Sequence, residues 1–412
     1  MVRRLEEVFG IHELRPYSYV DRGDLDTQLA YWLRTDRHIA IHGDSKQGKT
    51  WLRERALSED MIVHVQCTST STASGLLTEA MGRLGVRAEI RYTTEKTLTG
   101  TLDLGASGSF GALLFAKAKA QGKLTGQVGR RQSTESAPVG RTPADLSWIS
   151  FVLVESGRRL VLEDFHYLSR DEQQRFSFLM RAMEGYGVRV VVVGVWAEDH
   201  LLTFHNGDLD GRVEDVHLEW KDSELRAVID KGCQELNIRF PDALIANIIA
   251  DSFGNVGLLQ RLMERVCIHA GFLTRERGRR DLNDSAFLVR ARESVASSMA
   301  GRFDTFATRM RVHSPTLEHV VATVLAASDN QLRSGITVTD FASRCMRPDG
   351  TRRYSEAVMR TRLESLSEAQ STASVSPPVL SFDTVGDRLF AVDRALLFYR
   401  KYATSPFTAS RV

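Results

Sequence analysis

The sequence has few cysteines and no long hydrophobic run. The four cysteines stand alone at positions 67, 233, 267 and 345, which argues for a reducing compartment and against a disulfide framework or a structural zinc. No apolar run approaches the roughly 18 residues that a membrane span needs, and the sequence has no signal-peptide pattern. We therefore expect a cytoplasmic protein with no membrane partner.

A strong charge of either sign is also lacking, because 54 Lys and Arg residues face 52 Asp and Glu residues. The charge is unevenly distributed, since residues 271–412 carry 21 basic against 15 acidic side chains. This mild excess marks either a docking surface for a polyanion or simply a soluble surface. A length of 412 residues predicts two or three domains.

One run of eight residues carries most of the functional information. It follows the apolar segment 38–42 and matches the pattern G-x-x-x-x-G-K-[ST] in full, with Gly43, Asp44, Ser45, Lys46, Gln47, Gly48, Lys49 and Thr50. Such a loop curls its backbone N–H groups into an anion nest at the start of a helix, here beginning near Trp51. Lys49 is expected to reach the β- and γ-phosphates, and the Thr50 hydroxyl to bind Mg²⁺. These residues, with Trp51, form the predicted nucleotide site.

Strand-like and helical segments alternate over residues 1–220. The strand-like segments cover residues 61–67, 159–166 and 188–195, and helical stretches lie near 74–84, 146–155 and 172–184. The β-branched run at 188–195 is typical of a strand covered on both faces in a parallel sheet. The pattern predicts an α/β domain of the doubly wound, parallel-sheet type, the P-loop NTPase core.

Residues 91–143 interrupt this pattern and are rich in Gly, Ser, Thr and Lys. We expect an inserted β-hairpin or flexible excursion. Its basic side chains belong either to a solvated loop or to a contact with nucleic acid or a neighbouring subunit; they are Lys117, Lys119, Lys123, Arg130 and Arg131.

Two carboxylates end the apolar strand at 159–163. Magnesium-dependent nucleotidases need one carboxylate near the metal and one that polarises the attacking water. We assign Glu163 to Mg²⁺ and Asp164 to the water; the alternative is an ordinary acidic strand end. Because Asp is shorter than Glu, slow hydrolysis is expected.

The C-terminal half changes to helices. Residues 221–312 contain helical segments at 223–236, 241–252 and 256–270 and form a predicted lid and linker. The pattern of residues 313–412 predicts helices at 317–327, 337–345 and 355–369, followed by strands at 379–382 and 388–392. Three helices and a hairpin in this order predict a winged-helix domain.

Four arginines lie just before or within the third of these helices: Arg352, Arg353, Arg360 and Arg362. Arginines on that helix can pair with DNA phosphates or guanine edges. Glutamates on the same helix dilute the charge, so a protein-docking winged helix is the alternative.

The glycine-rich loop and the acidic strand end together resemble the Walker A and Walker B motifs of AAA+ ATPases. The branch they resemble contains origin-recognition-like initiators, transposition regulators and the signalling STAND group. Residues 19–22 resemble that branch's adenine-side box, which adds Arg22 to the implied ATP site. Segment 204–213 resembles the segment that carries the arginine finger in AAA+ proteins, which would be Arg212; a surface salt bridge is the alternative role for this residue. Residues 223–270 resemble the helical lid.

The sequence departs from these families at two places. Residues 194–197 offer no polar side chain to sense the γ-phosphate, and the lid segment 254–261 lacks the usual arginine, which leaves Arg261 as a candidate. These departures favour a nucleotide switch over a fast motor. The resemblance implies an ATPase that forms a homo-oligomer on ATP and engages duplex DNA, or a STAND-type regulator of an effector protein, for example in antiviral defence.

Overall fold

The computed structural model describes residues 3–10, 16–22, 24–91, 99–103, 145–197, 199–347 and 349–403. The basic residues of the predicted insertion, from Lys117 to Arg131, lie outside these ranges. Within them, no helix is both long and apolar enough to cross a membrane.

The strands, in chain order, are β1 His38–His42, β2 Ile62–Gln66, β3 Arg87–Arg91, β4 Thr99–Asp103, β5 Arg159–Glu163, β6 Val190–Val193, β7 Val213–His217, β8 Ile238–Arg239, β9 Arg280–Asp281, β10 Ile336–Thr337, β11 Leu380–Asp383 and β12 Arg388–Ala391.

The α-helices are α1 Leu5–Phe9, α2 Asp24–Trp32, α3 Lys49–Ala56, α4 Ala73–Arg83, α5 Leu146–Glu155, α6 Arg170–Glu184, α7 Leu201–His205, α8 Asp222–Leu236, α9 Asp242–Ser252, α10 Val256–Ala270, α11 Ala286–His313, α12 Pro315–Ala326, α13 Asp329–Ser334, α14 Val338–Arg344, α15 Glu356–Glu364, α16 Leu366–Thr372 and α17 Ala395–Tyr402.

Five strands form the central sheet in the order β2-β5-β6-β1-β7, and every neighbouring pair is parallel. Alternate residues of each strand face opposite sides, so Ile39 and Ile41 pack in a different core from Ala40. Residues of α4, α5 and α6 cover one face, and residues of α2 and α3 cover the other. The predicted doubly wound α/β core is therefore confirmed.

The start of the predicted insertion forms a hairpin. Strand β3 pairs antiparallel with β4, with Arg91 opposite Thr99. The pairing begins at Arg87, a few residues before the predicted start of the insertion at 91.

The helices after residue 221 share one continuous hydrophobic core with α1 and with the C-terminal strands. Helix α1 packs closely on α8 at Gly232. A Cβ placed on this glycine of α8 would lie only 2.1 Å from the Phe9 ring of α1. In the C-terminal region, β10, β12 and β11 form a small antiparallel sheet. The helix predicted at 355–369 is divided at Ser365, whose hydroxyl donates to the Arg362 carbonyl at 3.0 Å and competes with the helical bonding pattern.

Candidate functional site

The glycine-rich loop lies at the carboxyl end of β1 and leads into α3, whose first helical residue is Lys49. Gly43 has φ +135°, and a Cβ there would lie 2.6 Å from the Leu218 carbonyl oxygen. Gly48 has φ +81°. Both positions need glycine, since L side chains rarely adopt these conformations. The loop therefore has the strand-loop-helix setting that its sequence predicts.

Lys49 folds back over this loop. Its ammonium donates to the carbonyls of Gly43, at 3.1 Å, and Asp44, at 2.5 Å. Burial lowers the pKa of Lys49 to about 8, while the charges of Asp44, Asp164 and Glu163 act in the opposite direction. The lysine and the predicted acids are thus close enough to interact electrostatically.

The two acids at the end of β5 have different surroundings. Glu163 is buried, and its Oε1 accepts a hydrogen bond from Arg53 Nε at 3.0 Å. Asp164 has φ +57°, and its Oδ2 accepts from Gln66 Nε2 at 2.7 Å. Burial raises the pKa of both carboxyls, and Arg53 opposes this shift at Glu163. Glu163 is tied to a cation, whereas Asp164 is held by a neutral amide.

At the end of β6, packing leaves no room for a side chain at residue 194. A Cβ on Gly194 would lie 2.3 Å from the ring of Trp196, so the indole occupies that space. His166 lies beside it, and its Nδ1 accepts the Val195 N–H at 3.1 Å. Burial lowers the pKa of His166 to about 3, with Lys49 adding to the effect, so the imidazole is neutral. Sequence reasoning missed His166, although it stands two residues after Asp164.

The region predicted as a lid, residues 221–312, contacts the loop from another side. Asn255 Nδ2 donates to the Ser45 carbonyl at 2.7 Å, and Gln47 Nε2 donates to the Gly254 carbonyl at 3.1 Å. Gly257 N–H donates to the Lys46 carbonyl at 3.1 Å, and a Cβ on Gly257 would lie 2.7 Å from Lys46 Cβ. The start of α10 is therefore packed directly on the loop backbone.

The C-terminal region also contacts the loop, which the sequence did not predict. The Ser45 N–H donates to the Val392 carbonyl at 2.9 Å. Arg394 Nε donates to Asp44 Oδ2 at 2.6 Å, and both side chains are 13% exposed. Burial raises the pKa of the Asp44 carboxyl, and Arg394 is the largest opposing influence. A residue 350 positions away thus stabilises a charge inside the loop.

Arg22 lies on the lid side of the loop. Its guanidinium stacks over the Trp220 ring at 4.4 Å, and Trp220 Nε1 donates to the Gln47 carbonyl at 3.1 Å. Arg22 Nε and Nη1 are buried without a hydrogen-bond partner among the described residues. The first turn of α3 leaves Thr50 exposed and Trp51 half-buried.

Arg212 lies far from its own chain's loop. It comes just before β7, and its carbonyl accepts the His38 N–H at the opposite, amino end of β1. Its Nη1 pairs with Glu184 Oε1 at 2.8 Å, and 42% of its side chain is exposed. Within the chain it therefore forms a surface salt bridge. In the lid, Arg261 donates to the Ser298 hydroxyl at 2.7 Å.

The four C-terminal arginines differ in their availability. Arg352 pairs with Glu356 at 3.2 Å, and Arg360 forms an ion pair with Asp387. Arg353 and Arg362 are exposed. Among the described residues, Arg353 and Arg362 thus form no intramolecular ion pair, whereas Arg352 and Arg360 do.

Neither a known protein family nor a curated protein sequence matches the chain. Among solved structures, it is similar to the Walker-type ATPase PABY2304 of Pyrococcus abyssi, with 13% identity, a TM-score of 0.49, and 96% of this chain and 99% of that chain covered.

The Orc1 protein of Aeropyrum pernix in complex with DNA has 12% identity and a TM-score of 0.41, covering 99% and 98% of the two chains. The RuvB Holliday junction branch migration motor of Thermotoga maritima has 13% identity and a TM-score of 0.39, covering 93% and 96%. All three TM-scores lie below 0.5.

Proposed function

We propose that this chain is an ATP-binding, Mg²⁺-dependent ATPase of the AAA+ type that works as a nucleotide switch. The observation that carries the proposal is the full loop motif at the end of β1, together with the charges of the acids at the end of β5, which act on Lys49 and oppose the lowering of its pKa. A loop of this kind offers backbone N–H groups and an ammonium to the phosphates, and the acids supply the metal and water positions. Thr50 and Glu163 would hold Mg²⁺, which would neutralise phosphate charge.

The roles of the two acids follow from their partners. Glu163 must exchange its bond to Arg53 for a metal contact, whereas Asp164 needs only to release a neutral amide. A carboxylate held only by a neutral amide is available to orient the attacking water, the role proposed for Asp164. The buried ion pair at Glu163 raises the cost of metal binding, which favours slow turnover.

The contact with the C-terminal region is what makes this site a switch. Arg394 neutralises Asp44 next to the place where the phosphates bind, so removing it would leave two negative groups facing each other. Val392 and Asn255 meanwhile hold the loop backbone in shape. ATP and the docked C-terminal region therefore stabilise each other, and this coupling is reciprocal.

Nucleotide binding tests the first step of the proposal. We expect Lys49→Ala to weaken binding of a fluorescent ATP analogue by roughly 100-fold, because a buried charge-assisted contact with phosphate is lost. Lys221→Ala, at an exposed lysine, is the matched control and should bind like the unaltered chain. Equal affinity in Lys49→Ala would overturn the ATP site.

For the C-terminal region we propose a winged helix that contacts duplex DNA through its exposed arginines, Arg353 and Arg362. The test is the anisotropy of a labelled duplex at low salt, with ATP present. The double variant Arg353→Ala/Arg362→Ala should weaken binding several-fold and reduce its salt dependence. A second pair of exposed arginines, Arg277 and Arg279, provides the matched control; no binding by the unaltered chain would reject the DNA proposal.

The alternative function is a STAND-type regulator that holds or releases an effector protein. The same docking of Val392 and Arg394 on the loop favours it, since release of the C-terminal region would uncover a surface for a partner. A pull-down from the native host with ATP, without nucleotide, and with Lys49→Ala compares the states. Absence of any nucleotide-sensitive partner would count against this alternative.

Assembly into a homo-oligomer is part of the main proposal. Exposed Arg212 would then leave Glu184 and reach the nucleotide of a neighbouring subunit. We expect Arg212→Ala to lower ATPase activity only at concentrations where the particle mass exceeds that of one chain.

A further inference from the structure

A second polar cluster lies beside the loop, on the side away from Asp164. It is formed by His42 at the end of β1, His217 at the end of β7, Asp199 in the connection after β6, and Asp215 on β7. His42 and His217 are opposite each other in the β1–β7 register. The potential donor atoms of His42, Asp199 and His217 all lie within 4.8 Å of one another.

The donor atoms of this cluster lie around His42 Nε2. His42 Nε2 lies 3.6 Å from Asp199 Oδ1 and 3.7 Å from Asp215 Oδ1. His217 Nδ1 lies 3.1 Å from the same Asp199 oxygen. Two imidazole nitrogens and two carboxylate oxygens are a donor set suited to a tetrahedral Zn²⁺-class ion, whereas Mg²⁺ prefers oxygen ligands alone.

Two of these donor atoms are buried and lack a hydrogen-bond partner among the described residues: His42 Nε2 and Asp215 Oδ1. The His42 side chain is 0% exposed and that of Asp215 is 10% exposed. Leaving a buried polar atom unsatisfied costs free energy, and a cation between them would satisfy both. This is the observation that separates the cluster from an ordinary acidic surface.

The neighbours of the cluster orient its donors. His42 Nδ1 lies 3.4 Å from the Trp196 carbonyl, so a proton on Nδ1 would leave the Nε2 lone pair directed at the carboxylates. His200 Nδ1 lies 2.8 Å from Asp215 Oδ2 and leaves Oδ1 available. A backbone carbonyl behind a histidine and a partner behind a carboxylate are typical of the groups that position metal ligands.

We propose that His42, His217, Asp199 and Asp215 form a binding site for a Zn²⁺-class transition-metal ion. The sequence prediction against a structural zinc rested on cysteine, and this site needs none. A bound ion would join the carboxyl ends of β1 and β7 at His42, the residue that immediately precedes Gly43 of the loop. The proposal does not depend on nucleotide binding.

Metal content of the full chain tests the proposal directly. After treatment with EDTA, the protein is titrated with Zn²⁺ against a chromophoric chelator without nucleotide, and Co²⁺ absorption reports the geometry. We expect about one ion per chain, with visible bands of a tetrahedral nitrogen and oxygen site. Less than about 0.2 ion per chain, or an octahedral Co²⁺ spectrum, would overturn the proposal.

Variants locate the site. His217→Gln and Asp199→Asn alter partly exposed ligands, 44% and 62% exposed, so both variants should fold; each should bind Zn²⁺ at least about tenfold more weakly. His313→Gln, at an exposed histidine on α11, and Asp171→Asn, at an exposed acid at the start of α6, should bind Zn²⁺ as tightly as the unaltered chain. Equal Zn²⁺ affinity in all four variants would place the ion elsewhere and reject the site.

Discussion

The loop at residues 43–50 is contacted on two sides by very different parts of the molecule. On the sheet side, Glu163 and Asp164 lie at the end of β5, which β6 separates from β1 in the same parallel sheet. On the other side, single backbone groups and one charged side chain come from the lid and the C-terminal region. In the proposed function, the sheet side carries out the hydrolysis, and the other side couples nucleotide binding to the C-terminal region.

The largest effect is expected from a substitution on the sheet side that leaves the contacts of the other side unchanged. We predict that Asp164→Asn lowers ATP hydrolysis by roughly 10²- to 10⁴-fold while leaving ATP affinity within about twofold, because the amide cannot take a proton from water. Phosphate release and nucleotide binding are measured on the same preparation. Asp171→Asn, at an exposed acid at the start of α6, is the control, and normal turnover in Asp164→Asn would transfer the role to Glu163.

The next effect concerns the loop that both sides share. We predict that Gly43→Ala lowers the free energy of unfolding by about 3 kcal/mol, since the new Cβ meets the Leu218 carbonyl and strains the backbone. Gly82→Ala is the matched control, because a Cβ at Gly82 in α4 meets nothing within 4 Å and helical alanine is favoured. Denaturant unfolding that gives both variants equal stability would contradict this description of the loop.

The smallest effect is expected from a substitution that removes only the contact between the C-terminal region and the loop. We predict that Arg394→Ala weakens ATP binding by about tenfold, because Asp44, whose side chain is only 13% exposed, loses its cation next to the phosphates. Asp44→Asn should reverse most of that loss in the double variant, which a double-mutant cycle of dissociation constants measures. Arg362→Ala serves as the exposed control; additive effects in the cycle would mean that the two residues are not coupled.

The same contrast shows how much the sequence could predict. The loop motif and the run at 188–195 carry local patterns, so the parallel core was predicted correctly. The acids at 163–164 also follow a local pattern, and their roles in the site remain predictions. The contact of Arg394 with Asp44 could not be predicted from the local sequence. An arginine at the start of a helix has the same sequence pattern whether its side chain faces solvent or contacts a loop 350 residues away.

Other features were missed for related reasons. Trp196 closes the space at Gly194, so the missing polar residue reflects packing that only the folded chain reveals. The histidine and aspartate cluster was also invisible, since its members come from two strands and a connecting segment. The assignments of Arg22 and Arg212, the two boundaries between the three predicted domains and the winged helix remain predictions.

The most direct test of the account is hydrogen exchange of the segment 388–395 in the Asp164→Asn chain, which should hold ATP without consuming it. If nucleotide and C-terminal docking are coupled, ATP with Mg²⁺ slows exchange in this segment, and the Lys49→Ala/Asp164→Asn chain shows no such change. Exchange that stays the same or becomes faster when ATP is bound would contradict the switch.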